Sequence, residues 1–246
     1  MSDYDRNSVS GGTFAGRAVA IDAGLRAYMI RVYNYMASAV ALSGIAAWLT
    51  FNAAVTDGRL TPFGQTMFNP VTMIVLMLAT LGLVFFISFR IDRLKFTTAL
   101  TLFMVYAGLL GVTLAPIFLV YTGASITRVF FISAASFGAL SLWGYTTQRA
   151  LTGMGSFLIM GLFGIIIASL VNIFLKSSGL DWMISVLGVG IFAGLTAYDT
   201  QKIKEMYNAY DDSTIAGRKA VMGALSLYLD FINLFLMLLR LVGDRR

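Results

Sequence analysis

The chain is 246 residues long, 58% hydrophobic and only 12% charged, too few charges to coat a soluble globule of that size. It has no Cys and no His, which excludes disulfides, thiolate or imidazole metal sites, and any mechanism that needs a His base or a Cys nucleophile. The net charge of +6 comes from basic residues scattered in loops and at the ends of apolar segments, a pattern of membrane orientation and not of nucleic-acid binding.

In chain order, residues 1–27 are polar, with Gly11-Gly12 and interleaved Asp and Arg. They lack the apolar core of a signal peptide and are expected to form a retained, disordered cytoplasmic tail. Residues 28–243 then hold seven apolar segments, near 29–54, 70–90, 97–121, 126–147, 156–175, 182–203 and 220–242. Each approaches the ~20 residues a helix needs to cross a bilayer. Residues 244–246 are a short tail. The fold class is therefore an all-α membrane protein, a seven-transmembrane-helix bundle. Breakers mark the turns: Asp57-Gly58, Asn69-Pro70, Thr122-Gly123, Gly153, Ser178-Gly179 and Asp211-Asp212. Pro116 predicts a kink in the third span.

Orientation follows from Lys and Arg. With the N-terminus cytoplasmic, twelve of the 18 basic residues fall inside and six outside, as the positive-inside rule prefers. The discordant group is Arg240, Arg245 and Arg246. Either seven full spans place it outside, which is the preferred reading, or the last segments do not all cross.

The last segment carries Asp230 in an otherwise apolar run, Ala224 to Leu239. A carboxylate at mid-bilayer costs about 2.5–3.5 kcal/mol on insertion scales. At 3.6 residues per turn Ser226, Asp230 and Asn233 share one face. The opposite face, of Leu, Phe and Ile, reads as lipid-facing. Interhelical hydrogen bonding, the plainer role for such a face, is worth only ~0.6 kcal/mol per bond in membrane bundles. That does not compensate a buried ionised Asp, so a functional role is expected for Asp230.

Asp199 closes the preceding segment, in Ala197-Tyr-Asp-Thr-Gln201. Alone it reads equally well as an interfacial residue snorkelling to water. Should the two acids meet, both cannot ionise cheaply in a low dielectric, and one retains or shares a proton. Without His, pH sensing near neutrality falls to carboxylates. Once ionised, the pair is an oxygen site suited to a hard cation such as Ca²⁺ held transiently. Arg90 or Arg93, at the end of the second span, is a candidate latch for the pair, though each also fits simple positive-inside anchoring. Gly190 and Gly194 form a GxxxG run that would let another helix approach Asp199. Asn34 and Asn172 are further amides within spans, read as satisfying neighbours.

Enzyme readings fare poorly. A Ser–His protease lacks its base, a retinal protein would want Lys where Asp230 stands, and the Gly-Leu-Gly-Asp signature of aspartyl intramembrane proteases surrounds neither acid. No enzymatic activity and no cofactor are expected.

The combination of Tyr198-Asp-Thr-Gln201 with Ser226-Leu-Tyr-Leu-Asp-Phe-Ile-Asn-Leu-Phe235, and Arg240 close behind, resembles the Bax inhibitor-1 family over roughly residues 25–243. The resemblance implies a bundle with the last helix central, acting in bacterial relatives as a pH-sensitive Ca²⁺ leak pathway. It maps the proton-sensing pair onto Asp199 and Asp230, and a second-helix arginine latch onto Arg90 or Arg93. Two departures stand out. The loop over about 204–219 reads as longer than in short bacterial members. The second span, Pro70 to Phe89, holds no acid, whereas some relatives carry a Glu there. The alternative function is a non-transporting regulator that binds other membrane proteins, such as a quality-control protease. The motif style points to a bacterial inner (cytoplasmic) membrane.

Overall fold

The computed structural model describes residues 4–246, with side chains described from residue 23. Of the tail expected over 1–27, residues 1–3 lie outside the described residues and the rest is helical. Helix α1 (Tyr4–Ala54) leads into a two-residue hairpin, β1 (Val55–Thr56) and β2 (Arg59–Leu60). Its turn is Asp57-Gly58, with φ of 50° and 73°, as a type I′ turn requires. Then follow α2 (Pro62–Met67), α3 (Pro70–Arg90) with a 3₁₀ turn (Ile91–Arg93), α4 (Phe96–Leu114), α5 (Ile117–Val120), α6 (Gly123–Thr146), α7 (Thr152–Leu175), α8 (Ser178–Glu205) and α9 (Ser213–Val242).

Among the described residues, seven helical stretches are long and apolar enough to cross a membrane: Ala23–Ala54, Pro70–Arg93, Phe96–Val120, Gly123–Thr146, Thr152–Leu175, Ser178–Glu205 and Ser213–Val242. The chain is an integral membrane protein whose surroundings are a lipid bilayer. Most breakers act as helix starts. Asn69, Thr122 and Asp212 each cap the following helix by accepting backbone N–H bonds. Pro116 does interrupt the third span. The chain leaves α4 through i to i+3 bonds, such as Phe118 N–H to Ala115 O at 3.2 Å, before resuming as α5.

Helix α9 is the hub. Buried residues make up 67% of its most apolar window, against 11% in α3 and in α7. Helices α1, α4, α6 and α8 all pack on it; α3 packs outside on α4, and α7 outside on α8. The helices before α9 thus fall into two triplets with the same packing pattern and, after an odd number of spans, opposite sense.

Small residues permit this density. A Cβ on Gly144 would strike the backbone of Ala197 on α8, and one on Gly111 the backbone of Ser43 on α1. The face of α9 read as lipid-facing is instead interior: Ile232, Phe235 and Leu239, opposite the polar face, are buried. In a membrane protein the same apolar residues suit lipid and core alike, so periodicity did not distinguish them.

The final loop is also shorter than expected. Helix α8 persists to Glu205 and α9 begins at Ser213, so most of 204–219 is helical. The C-terminus returns to the start of α6, with Arg246 N–H donating to Val120 O at 2.9 Å and Arg128 pairing with Asp244 at 2.9 Å. The C-terminal arginines therefore sit at the bundle end away from residue 23, as seven full spans require.

Candidate functional site

Antiparallel packing of α8 on α9 sets the register. Gly223 faces Ile203 near one end of the contact, and Gly188 faces Met237 near the other. On that register Asp199 lies level with Ser226, and Asp230 lies one turn deeper, about 5 Å along the axis. One turn is within reach of two side chains leaning together. The carboxyls are close enough for their side chains to hydrogen-bond. Two carboxylates offer only acceptors, so such a contact holds only with a proton on one of them. Asp230 is 5% exposed, and its Oδ2 has no hydrogen-bond partner.

Both acids line a cavity of about 700 Å³ between α3, α7, α8 and α9. Ser226 and Asn233 line it too, so the predicted polar face is assembled as read. Asn233 Nδ2 donates back to Leu229 O at 2.8 Å.

The motif Tyr198–Gln201 makes one helical turn, its side chains about 100° apart, and each meets a different neighbour. Tyr198 packs its ring over Gly155 of α7. Asp199 faces the cavity. Thr200 Oγ1 lies 2.9 Å from Ser141 Oγ, which in turn is 2.6 Å from the Tyr33 hydroxyl, tying α8 to α6 and α1. Gln201 accepts from Leu151 N–H at 2.8 Å and donates to Arg149 O at 2.9 Å, clamping the α6–α7 loop. On α9, Tyr228 is fully buried with its hydroxyl 2.6 Å from Ser43 Oγ, and Ser43 Oγ donates to Ala107 O at 2.7 Å. The turn bearing Asp199 is thus fixed from several sides.

The latch is not formed. Arg90 and Arg93 are exposed at the end of the second span, and among the described residues the ion pairs are Arg128–Asp244 and Lys219–Asp211. The cation that lines the cavity is Lys202, whose Nζ stands 6.0 Å from the Tyr198 ring centroid. In the sequence it is one of the basic residues at the ends of apolar segments. Its spacing of three residues from Asp199 was the available signal.

The GxxxG run is half right. Gly194 does admit a neighbour, Leu158 of α7, 2.8 Å from where its Cβ would be, but Gly190 has nothing within 4 Å. The closer approach near Asp199 is made by Gly144. Among the described residues no three or more His, Cys, Asp or Glu are grouped so that they could hold a metal ion. Two carboxyls with the oxygens of Asn233 and Ser226 fall short of the 6–8 ligands of a resident Ca²⁺. They suit a cation that keeps part of its water.

Fold and site together define a seven-helix membrane protein with an acid pair against its central helix. Residues 25–246 match the family model described as inhibitor of apoptosis-promoting Bax1. Among similar proteins are the uncharacterised protein RP147 of Rickettsia prowazekii, 47% identical with both chains covered in full. Another is the inner membrane protein YbhL of Escherichia coli K12, 47% identical over 91% of this chain and 94% of that one. A third, an uncharacterised protein of Caulobacter vibrioides, is 43% identical over the whole of both chains. The chain belongs to the Bax inhibitor-1 family.

Proposed function

We propose that the protein is a passive, pH-sensitive leak pathway for cations, Ca²⁺ foremost, gated by the proton on the Asp199–Asp230 pair. The observation that carries this reading is the meeting of the two carboxyls at a cavity, with one oxygen of the buried member left without a partner. With the proton in place, the carboxyls hold α8 to α9 and offer the cation little charge. When the proton leaves, two anions in a low dielectric repel. The contact loosens, and carboxylate oxygens become available to a partly hydrated cation. The closed form is favoured by acid and the conducting form by base. Lys202 lines the same cavity and competes with the cation for Asp199. By the count of basic residues, the end holding residue 23 is cytoplasmic. A bacterial inner membrane is the proposed location, in line with the name of the Escherichia coli relative.

The test is Ca²⁺ flux into dye-loaded liposomes holding the purified chain. Flux should rise as pH is raised through neutrality, and Asp230→Asn, which keeps the shape and removes the titrating group, should flatten that response. An Asp230→Asn protein with unaltered flux and pH response would refute the proposal. Complete absence of flux alongside a co-purifying membrane protein would favour the regulator reading instead.

A further inference from the structure

The cavity holding the acid pair opens sideways. Its outer walls, α3 and α7, pack on α4 and α8 respectively and not closely on each other. The residues that line the opening, Leu81 of α3 and Ile166, Leu170 and Ile173 of α7, are apolar and about half to two-thirds exposed. The α7–α8 contacts Gly155–Tyr198 and Gly194–Leu158 place the carboxyls level with the first turns of α7. From Leu158 to Ile173 the apolar wall continues about 22 Å towards the other end of the bundle. One end of this groove therefore has a buried, unpartnered carboxyl oxygen on Asp230, and along α7 beyond it the lining is apolar apart from Ser169.

From this arrangement we propose that the groove binds lipophilic primary amines. The ammonium sits on Asp230 and Asp199, and the alkyl tail enters between α3 and α7 and lies along α7. Charge decides the class of ligand. An ammonium satisfies the unpaired Oδ2 with a charge-assisted hydrogen bond. A phosphate or carboxylate headgroup is repelled, and a neutral alcohol gains no ion pair. The bilayer concentrates such an amine beside the opening, so its tail supplies access and its head supplies selectivity. Neither acid forms an ion pair among the described residues. Lys202 is the one tethered cation lining the cavity, and it is the amine's intramolecular competitor. This inference rests on the geometry of the acid pair and not on cation conduction.

The probe is dodecylamine bearing a photoactivatable diazirine in its tail, applied to the full chain in phosphatidylcholine nanodiscs, with labelled residues mapped by mass spectrometry. Labelling should concentrate on residues 159–173 and Leu81. It should be displaced by unlabelled dodecylamine but not by dodecanol, and fall about tenfold or more in Asp230→Asn, as loss of a charged hydrogen-bond partner implies. Ile166→Trp, which fills the wall without touching the acids, should also reduce it, so a fold defect in the Asn variant does not spoil the test. Labelling spread evenly over the outer faces of all spans, equal displacement by dodecanol, or indifference to both substitutions would overturn the proposal. A protein that labels as described but passes no Ca²⁺ refutes the leak reading alone. Conduction with unselective labelling refutes this one alone.

Discussion

Gly144→Ala tests whether the α6–α8 crossing is what positions Asp199. The added Cβ would lie 2.9 Å from both C and Cα of Ala197 and closer still to its carbonyl oxygen. Comfortable carbon contacts begin near 3.5 Å, and backbone atoms cannot swing aside as a side-chain tip can. Helix α8 must therefore retreat by about 1 Å at a point two residues from Asp199, and the 2.9 Å Ser141–Thr200 contact beside it must lengthen. Overpacking of this kind costs about 1–3 kcal/mol. The matched control is Gly190→Ala on α8, where nothing lies within 4 Å, and a change within about 0.5 kcal/mol is expected. Reversible unfolding in mixed micelles reads the stability difference, and liposome flux reads whether the acid pair has been disturbed. Equal stability and equal pH response in the two variants would refute the claim that this crossing sets the site.

Two further substitutions probe the surroundings of the pair. Lys202→Gln removes the tethered cation from the cavity and should lower the Ca²⁺ concentration for half-maximal flux about two- to five-fold, a modest figure because the side chain is exposed and screened; a rise in that concentration would contradict the competitor role. Gln201→Ala should destabilise the bundle by about 1–2 kcal/mol, because Leu151 N–H and Arg149 O lose their partners, and proteolysis of the α6–α7 loop should accelerate. An unchanged cleavage rate would show that Gln201 does not hold that loop.

The seven spans were legible because a bilayer demands about 20 apolar residues and Asn, Thr and Asp before Pro, Gly or Ser mark helix starts. Asp230 was legible as expensive, and Ser226 and Asn233 as its companions, because helical period alone puts them on one face. Whether Asp199 met it depended on register, which is set by Gly223 against Ile203 and Gly188 against Met237, contacts that no spacing rule specifies. The environment of α9 differs from the sequence expectation because Ile232 and Phe235 are as suitable for lipid as for core. Gly190 looked equivalent to Gly194, yet one faces open space and the other a leucine. Nor did the sequence distinguish Arg90 and Arg93, exposed at the end of the second span, from Lys202, which lines the cavity.

The central claim is that Asp199 and Asp230 act as one titrating unit. It is tested most directly by a double-mutant cycle on pH-dependent Ca²⁺ flux between about pH 5 and 8, using Asp199→Asn, Asp230→Asn and the double variant. A shared proton predicts that either single substitution removes the pH response and that the double variant adds nothing further. Independent carboxyls predict that each single variant keeps part of the response and that the losses add. That additive result would contradict the account.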